Sequence, residues 1–151
     1  MSKVFERIYT AGWTDVDLNG HLANTAYLGF AVNTRMAFFA ECGFTPAEFA
    51  RHEVGPVIKS DHTDYFREIM MLESLRVTME NGGHSSDGSR FRVVNNIYKA
   101  DGIHAGRVVS IGGWLGLSVR KLVLPPEKLK EAWFQLERTE DFEELKSSIK
   151  Q

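Results

Sequence analysis

The segment AYLGFAVNTRMAFFAEC, residues 26 to 42, sets the strongest constraint on what this chain can fold into. It contains no proline, ends at Gly43 and is followed by Pro46, the succession of a helix, a left-handed cap and a stop. Its apolar residues, from Tyr27 and Leu28 through Phe30, Ala31 and Val32 to Met36, Phe38 and Phe39, cover far more than one stripe. A helix lying on a surface buries only about 100° of arc. This helix must be wrapped, and at ~1.5 Å per residue its length of roughly 26 Å matches strands of about eight residues.

The rest of the sequence supplies the wrapping. Residues 4 to 10, VFERIYT, alternate as a first strand, and Thr45-Pro46-Ala47-Glu48 reads as a capping box that opens a short helix to Arg51. Four strands are expected at 56–66, 71–80, 89–100 and 103–119. Asn81-Gly82-Gly83 and Asp101-Gly102, residue types that tolerate positive φ, read as the turns of consecutive hairpins. Pro125-Pro126-Glu127 breaks the last strand and opens EKLKEAWFQL, a terminal helix amphipathic around Leu129, Trp133 and Leu136. The order predicts an α+β domain over residues 1–136, in which a curled five-stranded antiparallel sheet wraps one long helix. The mixed-charge segment 137–151 is expected to be a solvated tail. Such a sheet leaves an edge strand unpaired, which predicts a homodimer with a sheet continuous across the interface.

Composition narrows the partners. With 43% hydrophobic and 25% charged residues among 151, the chain has enough apolar material for one compact core. The formal charge is −2 with the basic residues scattered, so neither nucleic acid nor an anionic membrane is indicated. VVSIGGWLGLSV, the longest apolar stretch, is too short and glycine-broken to span a bilayer, and MSKVFERIYT has no secretory core. The only cysteine, Cys42, cannot form an internal disulfide. A cytoplasmic protein with a small-molecule partner is the reading that results.

Chemistry concentrates just before the long helix, in DVDLNGHLANTAY, residues 15 to 27. Asn24 or Thr25 is the natural N-cap, and the first turn presents unpaired N–H groups and the positive end of the helix dipole. Such a terminus stabilises the oxyanion that a carbonyl becomes during acyl transfer. Asp17 stands seven residues ahead, in a loop where Gly20 permits a sharp turn or a close ligand. A carboxylate there can attack a carbonyl or draw a proton from water. Asp and Asn ahead of a helix also serve commonly as turn formers and caps.

The pattern D-x-D-x-x-G-H-x-x-N-x-x-Y over these residues resembles the signature of the hotdog-fold acyl-CoA thioesterases, in the 4-hydroxybenzoyl-CoA thioesterase-like branch. VIKSDHTDYFREI resembles that branch's second strand and GGWLGLSVRKLVLPP its last strand and exit, so the resemblance covers about residues 5 to 130. It implies a hotdog fold and hydrolysis of an acyl-CoA to free acid and CoA without a cofactor. Asp17 then falls on the catalytic acid, as nucleophile or general base, and the Asn24 amide on the oxyanion donor. His21 falls on the Gly-His position that orients the carboxylate or the thioester. Tyr27 would line the acyl pocket, and Ile58, Lys59 and Ser60 would face a partner's Asp17. A homodimer at least, and a homotetramer as in many look-alikes, is implied. The chain departs from the pattern at Ala23, where many relatives carry asparagine, which points to a different acyl group or a slower turnover and leaves the backbone oxyanion site untouched.

Other signals carry less. The five histidines show no metal-ligand spacing, and no metal is expected. His62 and Asp64 share a strand face that reads as solvated, while His84, Ser86 and Asp87 hold the letters of a hydrolase triad in a turn without a nucleophile elbow. Lys59, Arg67, Arg90 and Arg120 are the candidates to hold the phosphates of CoA. Two other functions compete: a non-catalytic acyl-CoA binding or sensing module, and dehydration of a hydroxyacyl thioester.

Overall fold

The computed structural model describes residues 4–149, so residues 1–3 and the last two of the expected tail lie outside the described residues. Strand β1 (Phe5–Thr10) leads through a single 3-10 turn (Trp13–Asp15) to the long helix α1 (Asn24–Glu41). A short helix, α2 (Pro46–Arg51), then precedes β2 (Val54–Tyr65), β3 (Ser74–Ser85), β4 (Arg90–Lys99) and β5 (His104–Gly116). The two-residue β6 (Leu122–Val123), helix α3 (Glu127–Phe134) and β7 (Arg138–Leu145) complete the chain. The main sheet runs β1-β3-β4-β5-β2, all antiparallel neighbours, and curls about α1 as expected. No helix among the described residues is long and apolar enough to cross a membrane.

Local chemistry accounts for the helix ends. Thr45 Oγ1 accepts the Glu48 amide at 3.3 Å and Pro46 takes the first position of α2, but the expected capping box is only half formed, since the Glu48 carboxylate turns to Arg51 and His52. Gly43, at φ +88°, closes α1, and the Phe44 amide reaches back to the Phe39 carbonyl at 2.7 Å. At the other end α1 begins one or two residues earlier than the sequence suggests: Ala23, and neither Asn24 nor Thr25, is the N-cap, and no side chain caps the helix.

Two expectations are corrected. Asn81-Gly82-Gly83 is not a turn but a bulge inside β3, which runs on to Ser85; the turn comes at Ser86–Ser89, held by Asp87. The glycines are needed for close approach, because a Cβ on Gly83 would stand 2.5 Å from the Glu143 carbonyl oxygen and one on Gly82 2.6 Å from Val94. The segment beyond Leu136 is likewise not a solvated tail. Residues 138–145 form β7, parallel to β3 along the edge that β1 leaves free: β1 pairs with Ser74–Met79 and β7 with Asn81–Ser85. His84, expected in a turn, is a β3 residue stacked on Phe134 at 3.8 Å and edge-on to Phe142. β2 is the free edge on the opposite side of the sheet.

The core is split along α1. Tyr27, Phe30 and Ala31 pack on Leu75, Val77, Ile97 and Val108. Phe38 and Phe39 join Phe91, Trp114 and, from α3, Leu129 and Trp133 in a second cluster rich in aromatic rings. Between them lies a polar belt that the apolar pattern concealed. Arg35 is 4% exposed and donates from Nε to Asn95 Oδ1 (2.9 Å) and from Nη2 to Ser110 Oγ (2.7 Å), while the Ser110 hydroxyl donates to Asp61 on β2. Burial lowers the Arg35 guanidinium to about 10, against the pull of Asp61. Burial likewise raises the Cys42 thiol, in keeping with a packing role.

Candidate active site

The loop ahead of α1 is closed by its own backbone. The Asp17 amide donates to the His21 carbonyl (2.8 Å) and the Gly20 amide to the Asp17 carbonyl (3.0 Å), with Gly20 at φ +74°. The two acids of the D-x-D pattern part company here. Asp15 is structural: its carboxylate accepts the Gly12 amide at 2.8 Å and its carbonyl accepts the Ala23 amide at 2.8 Å. Asp17 is exposed, and Oδ1 accepts the amides of Asn19 (2.8 Å) and His21 (3.3 Å), whereas Oδ2 has no partner among the described residues. One oxygen fixes the side chain, and the other is available.

Asp17, His21, Asn24 and Tyr27 line one cleft of about 320 Å³ together with Tyr65, Arg67 and Glu68. The amides of Asn24 and Thr25, at the start of α1, have no acceptor among the described residues. The cleft thus brings a carboxylate and an uncapped helix terminus to one space. Asp17 also borders an apolar hollow of about 870 Å³ lined by Trp13, Leu18 and Met71.

The far wall comes from the end of β2. Tyr65 donates from its hydroxyl to the Asn24 carbonyl (3.2 Å) and meets the Tyr27 ring edge-on at 4.9 Å. Tyr27 is 3% exposed and donates to the Arg67 carbonyl at 3.1 Å, so its ring is core and only its hydroxyl end reaches the cleft. Burial, then the nearby Tyr65 and Glu68, raise the Tyr27 phenol, which keeps it a neutral donor. Gly106 makes room for that ring, since a Cβ there would stand 2.8 Å from it. His21 Nε2 lies 3.4 Å from Glu68 Oε2.

Ile58, Lys59 and Ser60 do not join this cleft within the chain. They lie further along the free edge, where Lys59 is the extra residue of a bulge, and line or flank a separate hollow with Arg90. Of the four basic candidates for CoA phosphates, Arg67 is the one on the Asp17 cleft. Sequence reasoning missed Tyr65, Glu68 and Arg35. The first two lie within VIKSDHTDYFREI, whose resemblance marked a strand without singling out side chains. His62 and Asp64 form an exposed pair at 3.2 Å, and among the described residues no group of three or more metal-ligating side chains assembles.

The arrangement suits a reaction at a carbonyl whose oxygen acquires charge. Residues 11–133 match the thioesterase-like superfamily, and the chain belongs to that family. No curated protein matches the sequence. Among solved structures, protein SAV2348 of Staphylococcus aureus, determined in complex with CoA, superposes with a TM-score of 0.82 at 18% identity, over 91% of this chain and 87% of that one. The 1,4-dihydroxy-2-naphthoyl-CoA thioesterase of Synechocystis gives 0.78 at 14% identity, covering 87% and 96%. The DHNA-CoA thioesterase of Staphylococcus aureus gives 0.77 at 15%, covering 87% and 89%. The fold is the hotdog fold that these thioesterases share.

Proposed function

We propose that this protein hydrolyses acyl-CoA thioesters to a free carboxylic acid and CoA, with Asp17 as the reacting acid and the Asn24 amide as the oxyanion donor. The observation that carries the reading is the shared cleft: a carboxylate with one unbound oxygen and a helix terminus with unbound amides line the same space. A thioester carbonyl pointing at Asn24 presents its carbon to Asp17. The carboxylate attacks that carbon or removes a proton from an attacking water, negative charge gathers on the carbonyl oxygen, and the helix terminus stabilises it. Collapse expels the CoA thiolate; on the water route this leaves the free acid directly, and on the direct-attack route a water then hydrolyses the acyl–Asp17 anhydride to release the acid and restore the carboxylate. His21, beside Glu68, orients the group at the cleft mouth, and the Tyr65 ring with the Tyr27 hydroxyl forms its wall.

The reading includes a second copy. β2 offers a 12-residue free edge with Ile58 at 43% and Tyr65 at 51% exposure, and edge-to-edge pairing in a homodimer or larger assembly would cover both. In such a dimer Ile58, Lys59 and Ser60 of one protomer approach the cleft of the other. A lone cysteine agrees with a cytoplasmic setting.

The test is a thiol-release assay with a panel of short, long and aromatic acyl-CoAs. Catalysed release from at least one of them is the expected result. Saturable binding without release would instead make the chain a binding module, and water loss from a 3-hydroxyacyl thioester would make it a dehydratase.

A further inference from the structure

Asp17 borders two spaces of opposite character. The cleft at the start of α1 is polar: His21, Tyr65, Arg67 and Glu68 surround it, and Tyr27 presents only its hydroxyl. Beyond Tyr27 the way along α1 is filled, because its ring is core and Phe30 and Ala31 are packed on Leu75, Val77 and Val108. Gly106 approaches the same ring so closely that a Cβ there would stand 2.8 Å from it. A hydrocarbon attached to the reacting carbon therefore has to leave Asp17 in another direction. The second space is the hollow of about 870 Å³ lined by Trp13, Val16, Leu18 and Met71, with Asp17 at its border.

Trp13 is 80% exposed and Leu18 fully exposed, with Met71 partly so. Single apolar side chains on a surface are ordinary, whereas a contiguous group rimmed by polar residues marks a binding site. The walls of this group are fixed by the backbone. The Asp15 carboxylate accepts the Gly12 amide at 2.8 Å and so pins the 3-10 turn that carries Trp13. The Met71 amide donates to the Gly20 carbonyl (3.3 Å) and the Leu72 amide to the Ala11 carbonyl (2.7 Å), which ties the turn at Met71 to the loop of Leu18. Leu72 stands at φ +73°, a strained conformation for leucine that these bonds hold in place. Two unfavourable features, exposed apolar side chains and a left-handed leucine, are thus kept beside the carboxylate.

We infer that this hollow receives the acyl group of the substrate, that the group is an aliphatic chain, and that Trp13, Leu18 and Met71 set the preference for its length. The inference rests on the proposed acyl-CoA hydrolysis and adds which acyl group is cleaved. With the carbonyl oxygen on the Asn24 amide and the carbon facing Asp17, the two other substituents of that carbon diverge. The polar cleft suits the amide-bearing thiol arm, and the hollow suits a hydrocarbon. Because Asp17 lines both spaces, a group in the hollow is already joined to the reacting carbon. Leucine and methionine side chains adapt to a flexible chain. Each methylene that leaves water there raises kcat/KM by up to about fourfold, until the hollow is filled.

The experiment uses the full-length protein and two readouts. Of the three tryptophans, Trp114 and Trp133 are buried, so the emission of Trp13 reports on the hollow. Dodecanoate, titrated below its micelle concentration, should shift the wild-type emission to the blue, and Trp13→Phe should abolish the shift. The double variant Leu18→Ser, Met71→Ser, with melting curves to confirm that it folds, should weaken the half-saturation about tenfold, the effect of losing two apolar contacts. In parallel, thiol release is measured from acetyl-, hexanoyl- and dodecanoyl-CoA. Wild-type kcat/KM should rise along the series, and the dodecanoyl-to-acetyl ratio should fall by a similar factor in the double variant. No shift with dodecanoate, a shift that Trp13→Phe retains, or equal half-saturation in the two proteins overturns the inference, as does a flat wild-type series or an unchanged ratio. An emission maximum of the free protein that Trp13→Phe leaves in place would show Trp13 covered by a second copy, which also overturns it. If the wild type releases no thiol from any ester, the hydrolase reading fails, while the fluorescence titration still decides whether the hollow takes an acyl chain.

Discussion

The two ends of α1 are built on opposite plans. At the C-terminal end every device closes the helix: the Cys42 amide returns to Phe38 at 3.0 Å, the Gly43 amide to Ala40 at 3.0 Å, and Phe38 and Phe39 are enclosed by Phe91, Trp114 and Trp133. At the N-terminal end no side chain caps the helix, the Asn24 and Thr25 amides lack acceptors among the described residues, and the space ahead of them is a cleft bordered by a carboxylate. A capping side chain is worth about 1 kcal/mol, so its omission is a small cost that leaves donors for a ligand. The difference teaches that stability is concentrated at one end of the helix so that the other can be left chemically unfinished.

That division can be broken by substitution. In free energy the largest effect is expected for Trp133→Ala at the closed end, about 3–5 kcal/mol of destabilisation seen in denaturant unfolding, with thiol release per folded molecule retained. Release that falls further than the folded fraction would erase the distinction between the ends. Midway along the helix, Arg35→Ala strands the polar groups of Asn95 and Ser110 and should cost about 1–3 kcal/mol in the same experiment. A neutral result there would mean that water replaces the guanidinium and that the belt contributes nothing net. The smallest effect is a gain. Ala23→Asn supplies the missing N-cap side chain and should stabilise by about 0.5–2 kcal/mol without lowering thiol release, because such caps bind the second or third amide of the helix and not the first. A stabilised but slower variant would move the oxyanion contact from Asn24 to Thr25.

How much of this was legible in the sequence depended on the range of the interactions. Gly43, Pro46 and Asp101-Gly102 act within a few residues of themselves, and the cap, the stop and the hairpin lie where they indicate, with Gly102 at φ +90°. Asn81-Gly82-Gly83 carries the same residue types for another reason: the glycines admit β7 and the side chains of β4, contacts made with residues far along the chain. The strand character of RTEDFEEL was hidden because β7 forms by pairing with a β3 edge and exposes most of its side chains. In the site, Asp17, His21, Asn24 and Tyr27 were readable together because one loop and one helix turn hold them. Tyr65 and Glu68 reach the cleft only through the path of β2 and the chain beyond it. Arg35 was invisible for a further reason, since a helix apolar on nearly all sides gives no indication of which polar residue points inward.

The central claim is that the carboxylate at position 17 does chemistry and not packing. Asp17→Asn preserves the acceptor that binds the Asn19 and His21 amides and removes the charge, so the melting temperature should be unchanged. Thiol release from the best acyl-CoA of the panel should fall by about 10²- to 10⁴-fold, the range for loss of a reacting acid or base. Release at the wild-type rate from a folded Asp17→Asn protein would contradict the account.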